Sequence, residues 1–164
     1  MKDELAKTQK FHQIKDKVPS IVKKFIKKDH IMYGGRAIDS QVLPGFRTQS
    51  KDFDIYSKTP KEDALKLEKE LDRIAGADIF TTEKAKFPKT TKVKDFRGET
   101  VADFTEIPKK IKTKILVGTN VETLTSMKPT IQKSIRMPKN AYRREKDRDN
   151  LNRIKLMEKL KKSI

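Results

Sequence analysis

"YGGRAIDSQVLPGFRTQSKDFDIYS", residues 33–57, carries two adjacent glycines, a spacer of 16 residues, and then an Asp-Phe-Asp triplet. Read as a strand, "DFDIYS" alternates, so that Asp52, Asp54 and Tyr56 share one face while Phe53 and Ile55 turn to the core. Two aspartates at i and i+2 on a strand have Cα atoms about 7 Å apart, with both carboxylates on the same side. Like charges so placed repel unless a cation lies between them. Hard oxygen ligands select Mg²⁺ or Mn²⁺, and a chain with no cysteine and two histidines offers little to zinc. Upstream, "HIMY" (30–33) reads as a short buried strand that runs into a tight turn at Gly34-Gly35. Without side chains there, backbone N–H groups can approach phosphate oxygens closely.

A third carboxylate comes from further along. Residues 90–107, "TTKVKDFRGETVADFTEI", read as a β-hairpin turning at Arg97-Gly98. In the second strand Val101, Asp103 and Thr105 point one way, and Ala102 and Phe104 the other. Asp103 is an acid in the middle of an otherwise apolar strand, which makes it the candidate to join Asp52 and Asp54. Three such carboxylates could hold two metal ions about 4 Å apart, the arrangement that supports in-line phosphoryl transfer.

The remaining periodicities fill in a mixed α/β chain. Residues 4–28 read as one amphipathic helix or two, split at Pro19. Thr59, Pro60 and Glu62 look like a capping box opening a helix with Ala64, Leu67, Leu71 and Ile74 on one face, which ends at Gly76. Ile115–Val117 suggest a further short strand. From Val121 the pattern is helical, interrupted near Pro129 and Pro138, with a last apolar stripe at Leu151, Ile154, Met157 and Leu160. One domain over residues 1–164 is expected: a helical segment at 1–29, a catalytic core at 30–118 and a basic helical region at 119–164.

At 164 residues, with 34% hydrophobic and 38% charged residues, the chain can bury one modest core. Its net charge is +17; residues 128–164 contribute +9 of this, from 13 Lys+Arg against 4 Asp+Glu. Such a stretch suits a phosphate backbone, where each neutralised phosphate releases counterions. Arg143, Arg144 and Lys146 are the expected nucleic-acid contacts. No stretch approaches the roughly 20 apolar residues of a membrane span, and no signal peptide opens the chain, so no membrane partner and a cytoplasmic location are expected.

"MYGG" followed by "KDFDIY" resembles the signature of the nucleotidyltransferase superfamily related to DNA polymerase beta, poly(A) polymerases and CCA-adding enzymes. In that signature a hydrophobic residue, Gly and then Gly or Ser precede a spacer and a hydrophobic-flanked Asp-x-Asp. Small stand-alone archaeal, plasmid, viral and toxin-type members, including poly(A)-polymerase-like proteins of large viruses, are especially similar. "AYRREKDRDNL" (141–151) also resembles the Lys-Asp-x-x-Asp helix of minimal members, with Asp149 or Asn150 near its last position. The resemblance implies a nucleotidyltransferase-like mixed β-sheet flanked by helices. It places Gly34, Gly35, Asp52 and Asp54 in the nucleotide and metal site and Asp103 on the third-carboxylate strand. Arg36, which stands where many relatives have Ser, could also serve the phosphates, as could Arg47 and Lys51 in the loop feeding the aspartates.

The implied activity is transfer of a nucleoside monophosphate from an NTP, ATP or CTP first, to an acceptor hydroxyl, with two Mg²⁺ (or Mn²⁺) ions. The basic region favours the 3′ end of RNA or tRNA as acceptor. A toxin-type enzyme modifying a protein hydroxyl, with an antitoxin partner, is one alternative. A catalytically idle nucleic-acid-binding domain is another. A viral or plasmid origin would put the protein in a host's cytoplasm.

Overall fold

The computed structural model describes residues 2–163. In chain order it contains helices α1 (Lys2–Ile14) and α2 (Val18–Phe25), strand β1 (Ile31–Tyr33), helix α3 (Gly34–Asp39), strand β2 (Phe53–Ser57) and helix α4 (Pro60–Ala75). Strands β3 (Thr81–Lys84), β4 (Thr90–Lys94), β5 (Thr100–Glu106), β6 (Thr113–Leu116) and β7 (Thr119–Glu122) follow, then helices α5 (Leu124–Arg136) and α6 (Arg144–Lys162). This is the expected mixed α/β fold of sheet strands flanked by helices. It divides into two compact units interleaved in sequence. The first comprises residues up to His30 together with Lys51–Pro108, and the second Ile31–Ser50 together with Lys109 onward.

In the first unit the strand order is β3-β4-β5-β2, antiparallel except for the parallel pair β2/β5. Alternation decides which side is buried. Phe53, Ile55, Val93, Ala102 and Phe104 are essentially inaccessible to solvent, and Ala64, Leu67 and Leu71 of α4 are buried against the same core. Between α1 and α2 the chain tightens into a 3-10 turn at Lys15–Lys17, so the break precedes Pro19. Pro19 instead sits in the first turn of α2, where a missing N–H costs nothing.

Helix α4 ends as its sequence suggests. Gly76 has φ +68°, its N–H bonds the carbonyls of Asp72 and Arg73, and the Ala77 N–H returns to Asp72, which is the Schellman arrangement. The start differs. Thr59 is the N-cap residue, but its side chain makes no capping bond. Asp63, rather than Glu62, takes up the local donors: Ser57 Oγ donates to Asp63 Oδ2, and His30 Nε2 lies 2.8 Å from the same oxygen. The His30 Nδ1 atom accepts the Lys27 N–H at 3.0 Å, which makes Nε2 the donor to Asp63. Burial alone would raise the Asp63 pKa; the bonds from Ser57 and His30 and the charge of Lys66 hold it below its usual value.

In the second unit β1 pairs with β7 in parallel, and β7 with β6 antiparallel. Val117 and Gly118 form the β6/β7 turn with φ +49° and +77°, the paired left-handed conformation of a tight hairpin. The helical pattern expected from Val121 begins only at Leu124, because residues 119–122 form β7. Pro129 lies inside α5 without interrupting it, whereas Pro138 does open a 3-10 segment before α6. The core of this unit gathers Ala37, Ile38 and Val42 with Val121, Leu124, Met127 and Ile154. Of the last stripe, Ile154 is fully buried, and Leu151, Met157 and Leu160 are partly so. Among the described residues no helix is long and apolar enough to cross a membrane.

Candidate active site

The parallel pairing of β2 with β5 sets Asp54 directly opposite Asp103. Residues opposed in a ladder project to the same face, and Asp52 immediately precedes β2, two residues before Asp54. Carboxylate oxygens of Asp52, Asp54 and Asp103 all lie within 4.8 Å of one another, each residue half-buried. The alternate positions Phe53, Ile55, Ala102 and Phe104 anchor the opposite face in the core. Lys92, opposed to Asp103 on β4, brings a positive charge to the same face. Converging acid oxygens of this kind suit a hard divalent cation and leave no soft donor for zinc. Tyr56 is buried to 6% exposure and offers no open ring face for stacking a base.

The glycines belong to the second unit. Gly34 has φ +68° and opens α3, a conformation that costs little only for glycine. Gly35 has no positive φ; its constraint is steric. A Cβ built on Gly35 would lie 2.5 Å from Ser50 Oγ and 2.9 Å from Ser50 Cβ. Just downstream, Asp39 fastens the spacer: it accepts the N–H groups of Thr48 and Ser50, both at 3.0 Å. Arg153 of α6 closes the knot, its Nη1 donating to Asp39 Oδ1 at 2.6 Å and to the Phe46 carbonyl at 3.2 Å. Its Nη2 donates to Asn150 Oδ1 at 2.7 Å. Burial would raise the Asp39 pKa, but the two backbone bonds and Arg153 hold it below the ordinary range.

The structure thus brings Asp52, Asp54 and Asp103 together, and Lys51, exposed, precedes them in the same unit. Gly34, Gly35, Arg36 and Arg47 lie in the second unit; Arg36 is half-buried and Arg47 exposed. Arg143 and Arg144 both make hydrogen bonds within the second unit. Arg143 Nε donates to the buried Asp147 at 3.1 Å, and Arg144 Nε donates to the Ile135 carbonyl at 3.1 Å. Lys146 is exposed. In the stretch resembling the Lys-Asp-x-x-Asp helix, Asp147 and Asn150 are buried and hydrogen-bonded within the unit, and Asp149, the other candidate for its last position, is exposed.

Against known proteins, the family described as "Poly(A) polymerase catalytic subunit" matches residues 20–140. The chain belongs to that family. Among solved structures this poly(A) polymerase family member resembles the Megavirus polyadenylate synthase, with 26% identity over 85% of the chain and a TM-score of 0.71. It spans 30% of that protein's length. No curated protein sequence matches the chain. The matched span takes in the glycine turn, the three aspartates and both strands that carry them. Asp39, Ser50 and Arg153 escaped sequence reasoning, since an Asp-Arg bond spanning 114 residues leaves no local pattern.

Proposed function

We propose that the chain is the nucleotidyl-transferring domain of a polymerase of this family, moving a nucleoside monophosphate from an NTP to the 3′ hydroxyl of RNA. The acceptor oxygen bonds the α-phosphorus as the bond from that phosphorus to the β-phosphate bridging oxygen breaks. Pyrophosphate leaves, and the hydroxyl proton passes to a carboxylate of the cluster. The single observation that carries this reading is the convergence of Asp52, Asp54 and Asp103 within 4.8 Å. Those three would hold two Mg²⁺ or Mn²⁺ ions, which neutralise charge developing on the attacking and leaving oxygens.

Other residues supply binding. Gly34 and Gly35 would lend backbone N–H groups to the triphosphate, with Arg36, Arg47 and Lys51 as cationic contacts. The matched relative's name, polyadenylate synthase, favours ATP as donor and an RNA end as acceptor. The net charge of +17 supports a polyanionic acceptor.

Incubation with labelled ATP or CTP, Mg²⁺ and total RNA tests the proposal. Label in RNA that requires Asp54 is the expected result. Label in protein would instead mark a protein-modifying enzyme, and label in neither, with RNA still bound, a binding domain.

A further inference from the structure

A second concave feature of the first unit lies away from the aspartates. A groove of about 510 Å³ runs between the first turns of α4 and the β3–β4 hairpin, bordered by Pro60, Lys61, Leu65, Thr82, Lys84 and Thr91. Strand register puts it on the helix side of the sheet, since Lys84 opposes Thr91 and Thr91 opposes the core residue Phe104. Asp103, the neighbour of Phe104 in β5, projects the other way. Leu65 stands off the buried stripe of Ala64, Leu67 and Leu71 and is 38% exposed. The charges around it are unbalanced. Both acids of the lining, Glu83 and Glu106, pair with Lys94 at 2.6 Å and Lys89 at 3.6 Å. Lys61 and Lys84 have no ion pair among the described residues.

Strand β3 is also an edge of the sheet. Its ladder bonds to β4 alternate, counted from the Ala85 N–H bond to the Thr90 carbonyl at 3.0 Å. The N–H and C=O groups of Thr82 and Lys84 therefore fall on the unpaired side. The two β3 residues whose side chains turn to the groove thus also offer backbone to a further strand. Lysine on an edge, in a chain of net charge +17, repels a second copy and admits an acidic strand. No aromatic side chain is among the lining residues, so nucleic-acid bases would find nothing to stack on.

We propose that this groove is a docking site for an extended acidic peptide of a partner protein, added to β3 as a further strand. Backbone pairing at Thr82 and Lys84 supplies affinity, and side chains at alternate positions supply specificity. On the groove side an apolar residue rests on Pro60 and Leu65, and a carboxylate two positions along meets Lys61 and Lys84. The site is independent of the nucleotidyl-transfer reading.

Fluorescence anisotropy tests this with a dye-labelled peptide that alternates Leu and Glu on one face and carries Thr on the other. A companion peptide has Lys in place of Glu. Wild type should bind the acidic peptide and not its companion. Lys61→Glu and Lys84→Glu should each weaken binding about fivefold, the scale of an exposed ion pair. Lys23→Glu, at an exposed position of α2 outside the groove, should not. The double variant Lys61→Glu, Lys84→Glu should turn the preference toward the companion. Thr82→Pro removes an N–H that the β3/β4 ladder does not use, and should weaken binding about tenfold at unchanged melting temperature. Leu65→Ala leaves the strand alone and should also weaken binding, which keeps the test decisive if proline disturbs β3. No binding by wild type, equal loss from Lys23→Glu, or full affinity in both Thr82→Pro and Leu65→Ala would overturn the proposal. Oligoadenylate that displaces the peptide and itself depends on Lys61 and Lys84 would give the groove to RNA instead. Self-association abolished by Thr82→Pro would give it to a second copy.

Discussion

Asp54 and Asp103 face each other across the parallel β2/β5 pair, one residue deep in the same ladder register. Two like charges held there repel, and Asp52 on the same face adds to the repulsion. Nothing in sheet packing asks for this, because the core-facing neighbours already anchor both strands. Such a cluster suits the divalent metal ions proposed above.

Replacing Asp54 with Asn should therefore separate function from stability. Transfer should drop by roughly four orders of magnitude, as for members of one catalytic unit. Metal-free melting temperature should hold or rise, because one of three clustered charges is gone. Calorimetric Mn²⁺ titration gives the binding arm, and equal Mn²⁺ affinity in variant and wild type would refute the metal site.

The two glycines should fail differently. Gly34→Ala places a side chain on a φ of +68° and should cost about 1–2 kcal/mol in urea denaturation. Gly35→Ala meets Ser50 and should cost about 1–3 kcal/mol as overpacking. Ser50→Gly should relieve the second loss and leave the first untouched. Relief of both would contradict the Gly35–Ser50 contact.

Charge and ion pairing can be told apart around the start of α6. Arg143→Ala removes the guanidinium paired with the buried Asp147, to which Ser134 Oγ also donates. With Arg143 about a third exposed, the loss should be about 2 kcal/mol, below that of a fully buried pair. Lys146→Ala should leave stability unchanged while flattening the salt dependence of single-stranded RNA binding by about 0.7 per lost phosphate contact. Matching effects from the two variants would argue against this division of roles.

Acid should loosen the fold through Asp39 and Asp63. Both pKa values lie below the model-peptide value of 3.8, so the stability they contribute is complete above that value and is lost as pH falls through the lower folded values. Glu122 works in the opposite sense. Burial raises its pKa despite the Ser126 hydroxyl, so its contribution is present below pH 4.5 and fades as pH rises through the folded value. Melting temperature against pH should show a shallower acid limb in Asp63→Asn and a smaller decline above pH 4.5 in Glu122→Gln. Curves parallel to wild type would show that neither group governs its limb.

What could be read from residues alone follows physical locality. The β2 and β5 strands were legible because period-2 alternation states which side is buried, and that alternation is enough to align Asp52, Asp54 and Asp103. Helix α4 was legible from Pro60 and Gly76. Its capping box was not, since Asp63 won the local donors through His30, a residue far away in sequence. Helix α3 and strand β7 are too short, at 6 and 4 residues, for a period to show, and a Gly-Gly pair reads as a turn whether or not a helix follows. Pro129 was misread because an interior proline removes one hydrogen bond but does not always end a helix. The basic region was read from charge, which does not show that Arg143 and Arg144 also bond Asp147 and the Ile135 carbonyl while Lys146 is exposed.

The interleaving of the two units has a consequence for how the protein can be made or cut. Because Asp39 closes its knot only with Arg153, the glycine segment leaves the ribosome long before the residue that locks it, and Thr48 and Ser50 are its early amide partners. Deleting the C-terminal basic stretch would strip Ile154 from a core that holds Ala37 and Ile38, so it would report on folding rather than on RNA contact. Neither unit exists as an uninterrupted stretch of gene. A recombinant fragment that preserves one must either retain the other or join new ends, and a permuted chain starting near residue 109 would place Arg153 ahead of Asp39 during synthesis.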